Sequence, residues 1–134
     1  MQVQPYLFFE GRCEEAIAFY KTALGAEQVA LMRWKDSPDP SMCPPGTNVD
    51  NVMHARLKIG TTELFASDSR GSGTPRFEGF ALSIEVGDEN DADRKFNALT
   101  EGGQIVMPLG KTFFARKFGM VTDRFGVSWM IYLP

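Results

Sequence analysis

The sequence predicts an α+β fold built from two similar halves. Three observations carry this. The order strand, helix, strand, strand, strand occurs twice along 134 residues. Gly and Pro punctuate the chain between these elements. The closing stretch, Phe113 to Leu133, reads as two strands rich in aromatic and β-branched residues around Thr122-Asp123-Arg124-Phe125-Gly126, where Asp123 and Gly126 supply turn chemistry. Each half is too small to cover its own sheet well. Pairing two four-stranded sheets, with the helices outside, covers both and leaves a curved cavity.

In the first half, Val3 to Phe9 reads as a strand with Tyr6 and Phe8 on one face and Leu7 and Phe9 on the other. Cys13 to Leu24 reads as a helix, because Ala16, Ile17, Tyr20, Ala23 and Leu24 recur at helical spacing. Gly25 follows as its stop. Glu14 and Glu15 in its first turn favour the positive end of the helix dipole. Gln28 to Trp34 is a strand. Lys35 to Asn51, with four prolines and Gly46, is a long loop of the kind that forms lids or partner arms. Val52 to Ile59 and Thr62 to Ser67 form a hairpin around Gly60-Thr61. Asp68 to Glu78 reads as a polar linker.

In the second half, Phe80 to Val86 is a strand. Asp88 is a fitting N-cap for a helix from about Glu89 to Glu101, with Ala92, Phe96 and Leu99 inward, ended by Gly102-Gly103. Gln104 to Met107 is a short strand, and Phe113–Val121 with Val127–Leu133 closes the chain. The expected organisation is one domain of two modules, about residues 1–70 and 76–134.

Charge and cysteine usage narrow the function. A net charge of −3 and a pI near 5.1 offer no basic field for nucleic acid or anionic lipid. No apolar run reaches the length of a membrane span, and the first residues lack the pattern of a signal peptide. Cys13 and Cys43 form no close pair, so both are expected as reduced thiols in a cytoplasmic protein. Cys13, at a helix start, has two readings: a thiol of lowered pKa, or a buried and inert one.

His54 is the chain's one histidine. Strand alternation places it with Val52, Arg56 and Lys58, opposite Met53, Ala55 and Leu57. A face carrying His, Arg and Lys can bind an anion or hold a general base, and it can equally be a solvated sheet face. Glu63, Asp68 or Glu85 could join His54 around a metal, although no fixed spacing supports this. Ser67-Asp68 ends a strand, where it can touch a ligand or cap the following turn. Gly71-Ser72-Gly73 lacks the strand-to-helix context of a phosphate loop. Phe113, Phe114, Phe118, Phe125, Trp129 and Tyr132 are more than one core needs. Those left over can line an apolar pocket, with the indole and the phenol as polar handles.

Several segments together resemble the PhnB-like group of the vicinal oxygen chelate superfamily, the glyoxalase, bleomycin-resistance and extradiol dioxygenase proteins. They are Pro5-Tyr6-Leu7-Phe8-Phe9 with Gly11, Glu15-Ala16-Ile17-Ala18-Phe19-Tyr20, Val52-Met53-His54-Ala55-Arg56-Leu57 with Gly60, and Ser67-Asp68. To these add Thr112-Phe113-Phe114, Phe118-Gly119-Met120-Val121-Thr122-Asp123 and Phe125-Gly126-Val127-Ser128-Trp129-Met130-Ile131. The group carries the label of a 3-demethylubiquinone-9 3-methyltransferase domain. The resemblance implies paired βαβββ modules, a cup-shaped sheet and a homodimer. It implies a small-molecule ligand in the cup, with His54 as a pocket residue, and the residues read above as ligand-facing, Ser67, Asp68, Phe113, Phe114, Phe125 and Trp129, complete the expected pocket. Metal-dependent relatives hold a divalent ion with four residues of the first and last strands of each module. The matching positions here lie near Gln4, near Glu63 or Leu64, near Gly79 or Phe80, and near Met130, of which only Gln4 and Glu63 are metal donors. The label also lacks the glycine-rich first turn of a Rossmann cofactor site. Three functions remain open: a small-molecule binder, a lyase, isomerase or dioxygenase using a metal or His54, and a non-catalytic dimeric scaffold.

Overall fold

The computed structural model describes residues 1–69 and 74–134. Gly71-Ser72-Gly73 lies outside the described residues, so the linker is described only at its two ends. Two compact units result, Met1–Pro75 and Arg76–Pro134.

In unit 1, β1 (Tyr6–Phe8) leads into α1 (Cys13–Leu24), then β2 (Glu27–Arg33), β3 (Val52–Ile59) and β4 (Thr62–Ser67). The sheet order is β1-β4-β3-β2. β1 runs parallel to β4, and the other pairs are antiparallel. The helix forms where its apolar spacing predicts, and it buries Ala16, Ile17, Tyr20, Ala23 and Leu24. Strand residues Leu7, Ala55, Leu57, Leu64 and Ala66, and Phe9 just after β1, are buried with them. Removing these side chains from water is the main favourable term in the unit.

The carboxylate of Asp68 closes the corner between helix and sheet. The N–H groups of Gly11 and Cys13 donate to its Oδ1 at 3.0 and 2.8 Å, and the N–H of Val52 donates to Oδ2 at 2.8 Å. It therefore satisfies the start of α1 and the start of β3 at once. α1 has no side-chain cap of its own at Arg12, so Asp68 supplies from a distant strand what an N-cap residue supplies locally.

The Lys35–Asn51 loop is folded back at its base. The N–H of Trp34 donates to the Asn51 carbonyl at 3.3 Å and that of Lys35 to the Val49 carbonyl at 3.0 Å. Short 3₁₀ turns at Trp34–Asp36 and Pro40–Met42 take up part of its length. Arg33 pairs with Glu14, and Lys35 with Asp50 at 2.9 Å.

Unit 2 repeats the order: β5 (Leu82–Glu85), α2 (Glu89–Thr100), β6 (Gln104–Gly110), β7 (Lys117–Thr122) and β8 (Ser128–Leu133). Its sheet order, β5-β8-β7-β6, matches that of unit 1. Asp88 caps α2 by accepting from the Asp91 N–H at 2.7 Å. Gly119 lies where β7 meets the helix layer, and a Cβ there would come within 2.8 Å of the Phe96 ring. β7 begins at Lys117 rather than Phe113, because the chain bends at Phe113 and Phe114, where the Thr112 N–H donates to the Ala115 carbonyl. β6 runs on to Gly110, beyond the predicted end at Met107.

The likeness of the units reaches the irregularities of the ladders. Gln28 pairs with Leu57 and Ala30 with Arg56, while Ile105 pairs with Val121 and Met107 with Met120. Each unit thus carries one extra residue at the same place in its second strand, a β-bulge that bends the sheet edge.

Replacing Asp68 with Ala leaves three backbone donors, two of them buried and that of Gly11 part-buried, without this acceptor. Urea unfolding of this variant is expected to show a loss of at least about 3 kcal/mol, and a loss below about 1 kcal/mol would contradict the corner described here.

Candidate functional site

The face of the first sheet turned away from α1 carries an aromatic and charged group of side chains. Alternation along β1 puts Tyr6 and Phe8 there, both more than a third exposed. β3 contributes His54 and Arg56, and β4 contributes Glu63 and Phe65, all half-buried. The Tyr6 hydroxyl and His54 Nδ1 share a hydrogen bond of 3.0 Å. The Tyr6 ring stacks on Phe8 at 4.7 Å, and the His54 ring lies 5.4 Å from Phe65. Arg56 Nη2 stands 3.5 Å from Glu63 Oε1.

This arrangement fixes what His54 can offer. With Tyr6 on Nδ1, the imidazole plane is set and Nε2 remains for a ligand. A donating tyrosine leaves a neutral imidazole with its proton on Nε2, a hydrogen-bond donor. An accepting tyrosine leaves Nε2 with a lone pair, the form a general base requires.

Val52 is not on this face, contrary to the simple alternation. Met32 pairs with His54 but Arg33 pairs with Val52, so two residues of β3 stand opposite one of β2. The bulge turns Val52 to the buried side, where it is 1% exposed. The residues Tyr6, Phe8 and Phe65 were not among the pocket residues expected from the sequence. Tyr6 and Phe8 had a readable signal in their alternation with Leu7 and Phe9. Phe65 joins them only through the β1–β4 register, which sequence periodicity does not give.

Ser67 and Asp68 are both buried. Ser67 Oγ accepts from the Ser69 N–H at 3.1 Å, and both oxygens of Asp68 are engaged by backbone donors. The capping reading describes them, although Ser67, the partner of Phe8 in the β1–β4 ladder, lies on the Phe8 side of the sheet.

The expected aromatic pocket of the second half divides into two environments. Trp129 is 2% exposed and shares its strand face with buried Ile131 and Leu133. Its indole Nε1 donates to Asp123 Oδ2 at 2.9 Å, while Asp123 Oδ1 accepts from the N–H groups of Phe125 and Val127. Gly126, at φ 91°, completes this turn in a conformation other residues avoid. Phe125 and Trp129 therefore belong to the core of unit 2, because the indole handle is used inside the turn. Phe113 and Phe114 are exposed, with ring centroids 5.2 Å apart in an edge contact. Phe114 also meets Phe118 at 5.1 Å. These aromatics do not form one group.

The divalent metal implied by the superfamily does not fit these residues. Glu63 is the one strong donor of the implied set, and a guanidinium faces it. Lys58 is its cross-strand partner. Two cations beside a lone carboxylate oppose a hard divalent ion, which needs several oxygen or imidazole donors. Gln4 precedes β1, and Met130 in β8 offers a thioether. Among the described residues no group of three His, Cys, Asp or Glu side chains is placed to hold a metal.

The family described as 3-demethylubiquinone-9 3-methyltransferase matches residues 1–132. The chain belongs to this PhnB-like family. Protein YjdN of Escherichia coli is 36% identical over 98% of this chain and 94% of its own length. The structure of protein PA1353 from Pseudomonas aeruginosa is 43% identical and superposes with a TM-score of 0.87 over 99% of this chain and 97% of that one. A PhnB protein from Bacillus cereus, described as a putative 3-demethylubiquinone-9 3-methyltransferase, is 30% identical with a TM-score of 0.83 over the full length of both. A glyoxylase/bleomycin resistance protein/dioxygenase domain from Frankia shares the fold, at a TM-score of 0.69, 16% identity and coverage of 98% of this chain and 94% of that one. The two sheets differ in topology from a dinucleotide-binding fold. Each is a mixed four-stranded sheet beside one helix, without the doubly wound parallel arrangement of a dinucleotide-type cofactor site. Among the described residues, no helix is long and apolar enough to cross a membrane.

Cys13 is fully buried at the start of α1, and burial, with Asp68 and Glu14 nearby, pushes its thiol well above the ordinary value. The inert reading of this cysteine follows. Alkylation of the native protein with iodoacetamide should modify Cys43 and leave Cys13 unmodified until the chain unfolds. The sign for stability is also fixed. Below the ordinary thiol pKa of 9.0 both states keep the proton. Above it the unfolded chain loses the proton and the native one keeps it, so Cys13 lowers stability as pH rises. Rapid native alkylation at Cys13 would contradict this.

Proposed function

We propose that this protein binds a small, flat organic molecule against the open face of its first sheet, and that it does so as a cytoplasmic homodimer. The observation that carries the reading is the gathering of Tyr6, Phe8, His54 and Phe65 rings on the side away from α1, with His54 oriented by Tyr6. Flat aromatic walls with a few placed polar groups are the usual composition of small-molecule sites. Leaving this much ring surface open costs hydrophobic free energy, and a ligand or a second chain recovers it. The two free cysteines suit a reducing compartment. The exposed Phe113–Phe114 pair suits burial against a second copy of the chain.

His54 Nε2 is the group most able to act on a bound molecule, as a hydrogen-bond donor or as a base. The metal-dependent lyase, isomerase or dioxygenase reading has less support, since the donor set of Glu63 and Gln4 does not suit a divalent ion. The scaffold reading predicts that no small molecule binds.

Binding of naphthalene-2-carboxamide, a neutral flat probe, tests the proposal by ligand-observed NMR. His54→Ala and Phe65→Leu are expected to weaken it at least tenfold, about 1.4 kcal/mol, while the urea midpoint of His54→Ala stays close to that of the parent. Unchanged affinity with lowered stability would make both residues structural and the proposal wrong.

A further inference from the structure

Arg56 stands in the middle of a row that crosses the whole first sheet. The register runs Ala30 on β2, Arg56 on β3, Phe65 on β4 and Tyr6 on β1. Paired residues point to the same side, so one short side chain, one guanidinium and two rings lie side by side on the open face. The guanidinium is poorly satisfied there. Its Nε is buried and has no acceptor among the described residues. Among the described residues its one ion contact is the 3.5 Å approach of Nη2 to Glu63, with the two side chains 41% and 32% exposed. That is long for a charge-assisted hydrogen bond, and it engages one donor of a fork that suits two parallel bonds.

We infer that the ligand of this face is a planar organic anion, whose carboxylate or similar oxyanion takes the Nε and Nη2 donors of Arg56 while its ring lies over Phe65 and Tyr6. The inference rests on the reading of the face as a small-molecule site and names the ligand's class. Glu63 acts as an internal competitor: it holds Arg56 weakly in the free protein and gives it up to a better-placed oxyanion. Lys58 stands opposite Glu63 in the ladder, so Glu63 keeps a cationic neighbour when Arg56 turns away. Ala30, with only a methyl group, leaves room on the other side of the guanidinium. The movement required is a rotation of one side chain off a long contact, and it relieves a buried donor that the free protein leaves without a partner.

The test compares naphthalene-2-carboxylate with naphthalene-2-carboxamide, two probes of nearly the same shape that differ in charge, in the parent protein and in Arg56→Lys and Glu63→Gln. The carboxylate is expected to bind the parent at least tenfold more tightly than the carboxamide. Arg56→Lys should reduce this preference below about threefold, since an ammonium cannot form the paired contact. Glu63→Gln should tighten the carboxylate and leave the carboxamide unchanged. Equal affinities in the parent would overturn the anion assignment and leave the binding site standing. A preference that survives in Arg56→Lys, or a carboxylate weakened by Glu63→Gln, would overturn the role given to Arg56 and Glu63. Failure of both probes to bind would remove the site itself. If Arg56→Lys does not fold, the Glu63→Gln comparison decides alone.

Discussion

The carboxylate of Asp68 collects N–H donors from Gly11, Cys13 and Val52, and the geometry of unit 1 depends on that collection. Gly11 and Cys13 set where α1 starts, and Val52 sets where β3 enters the sheet. His54 and Arg56 follow Val52 by two and four residues. A buried carboxylate without partners would be very costly, so the three donors also explain why a charge can sit at this depth. Unit 2 uses the same device at another place: Asp123 gathers Phe125, Val127 and the Trp129 indole within one turn. In both units an aspartate with three donors fixes a corner, and helix packing does the rest.

The two sheets share order, direction and even a bulge, yet their open faces differ in chemistry. The row through Arg56 carries a cation and two rings. The corresponding row in unit 2 is Met107, Met120, Met130 and Ser83, uncharged throughout and soft apart from the hydroxyl. The bulge is what makes these rows comparable, because it brings Ala30 beside Arg56 and Met107 beside Met120. A repeated backbone has therefore received two different sets of side chains, and of these two rows the charge and the rings sit in the first.

Most of the framework was legible because periodicity reports burial directly. α1 and β3 keep their predicted bounds, since Ala16, Ile17 and Tyr20 can share a helical face in only one way, and Gly60 ends β3. The family resemblance, carried by segments such as Phe118 to Asp123, agrees with the family match over residues 1–132. The candidate site was legible only in part. His54 stands out as the one histidine, but Val52 was misplaced because a bulge reverses alternation without leaving a mark in composition. Trp129 and Phe125 were expected at a pocket, since an aromatic cluster looks alike whether it is core or wall. What separates the two is the bond from the indole to Asp123, a contact across six residues of a turn. Tyr6 and Phe65 meet through parallel pairing of strands that lie far apart in sequence, and no local pattern encodes that register.

The most direct test of this account is where a flat aromatic probe lands. Backbone amide shifts of the ¹⁵N-labelled protein, followed during titration with naphthalene-2-carboxylate, locate it without any substitution. The account predicts that the largest changes fall on Tyr6, His54, Arg56 and Phe65, with small changes at Met120 and Met130. Changes concentrated on β7 and β8, or none at all, would contradict the assignment of the first sheet's open face as the binding site.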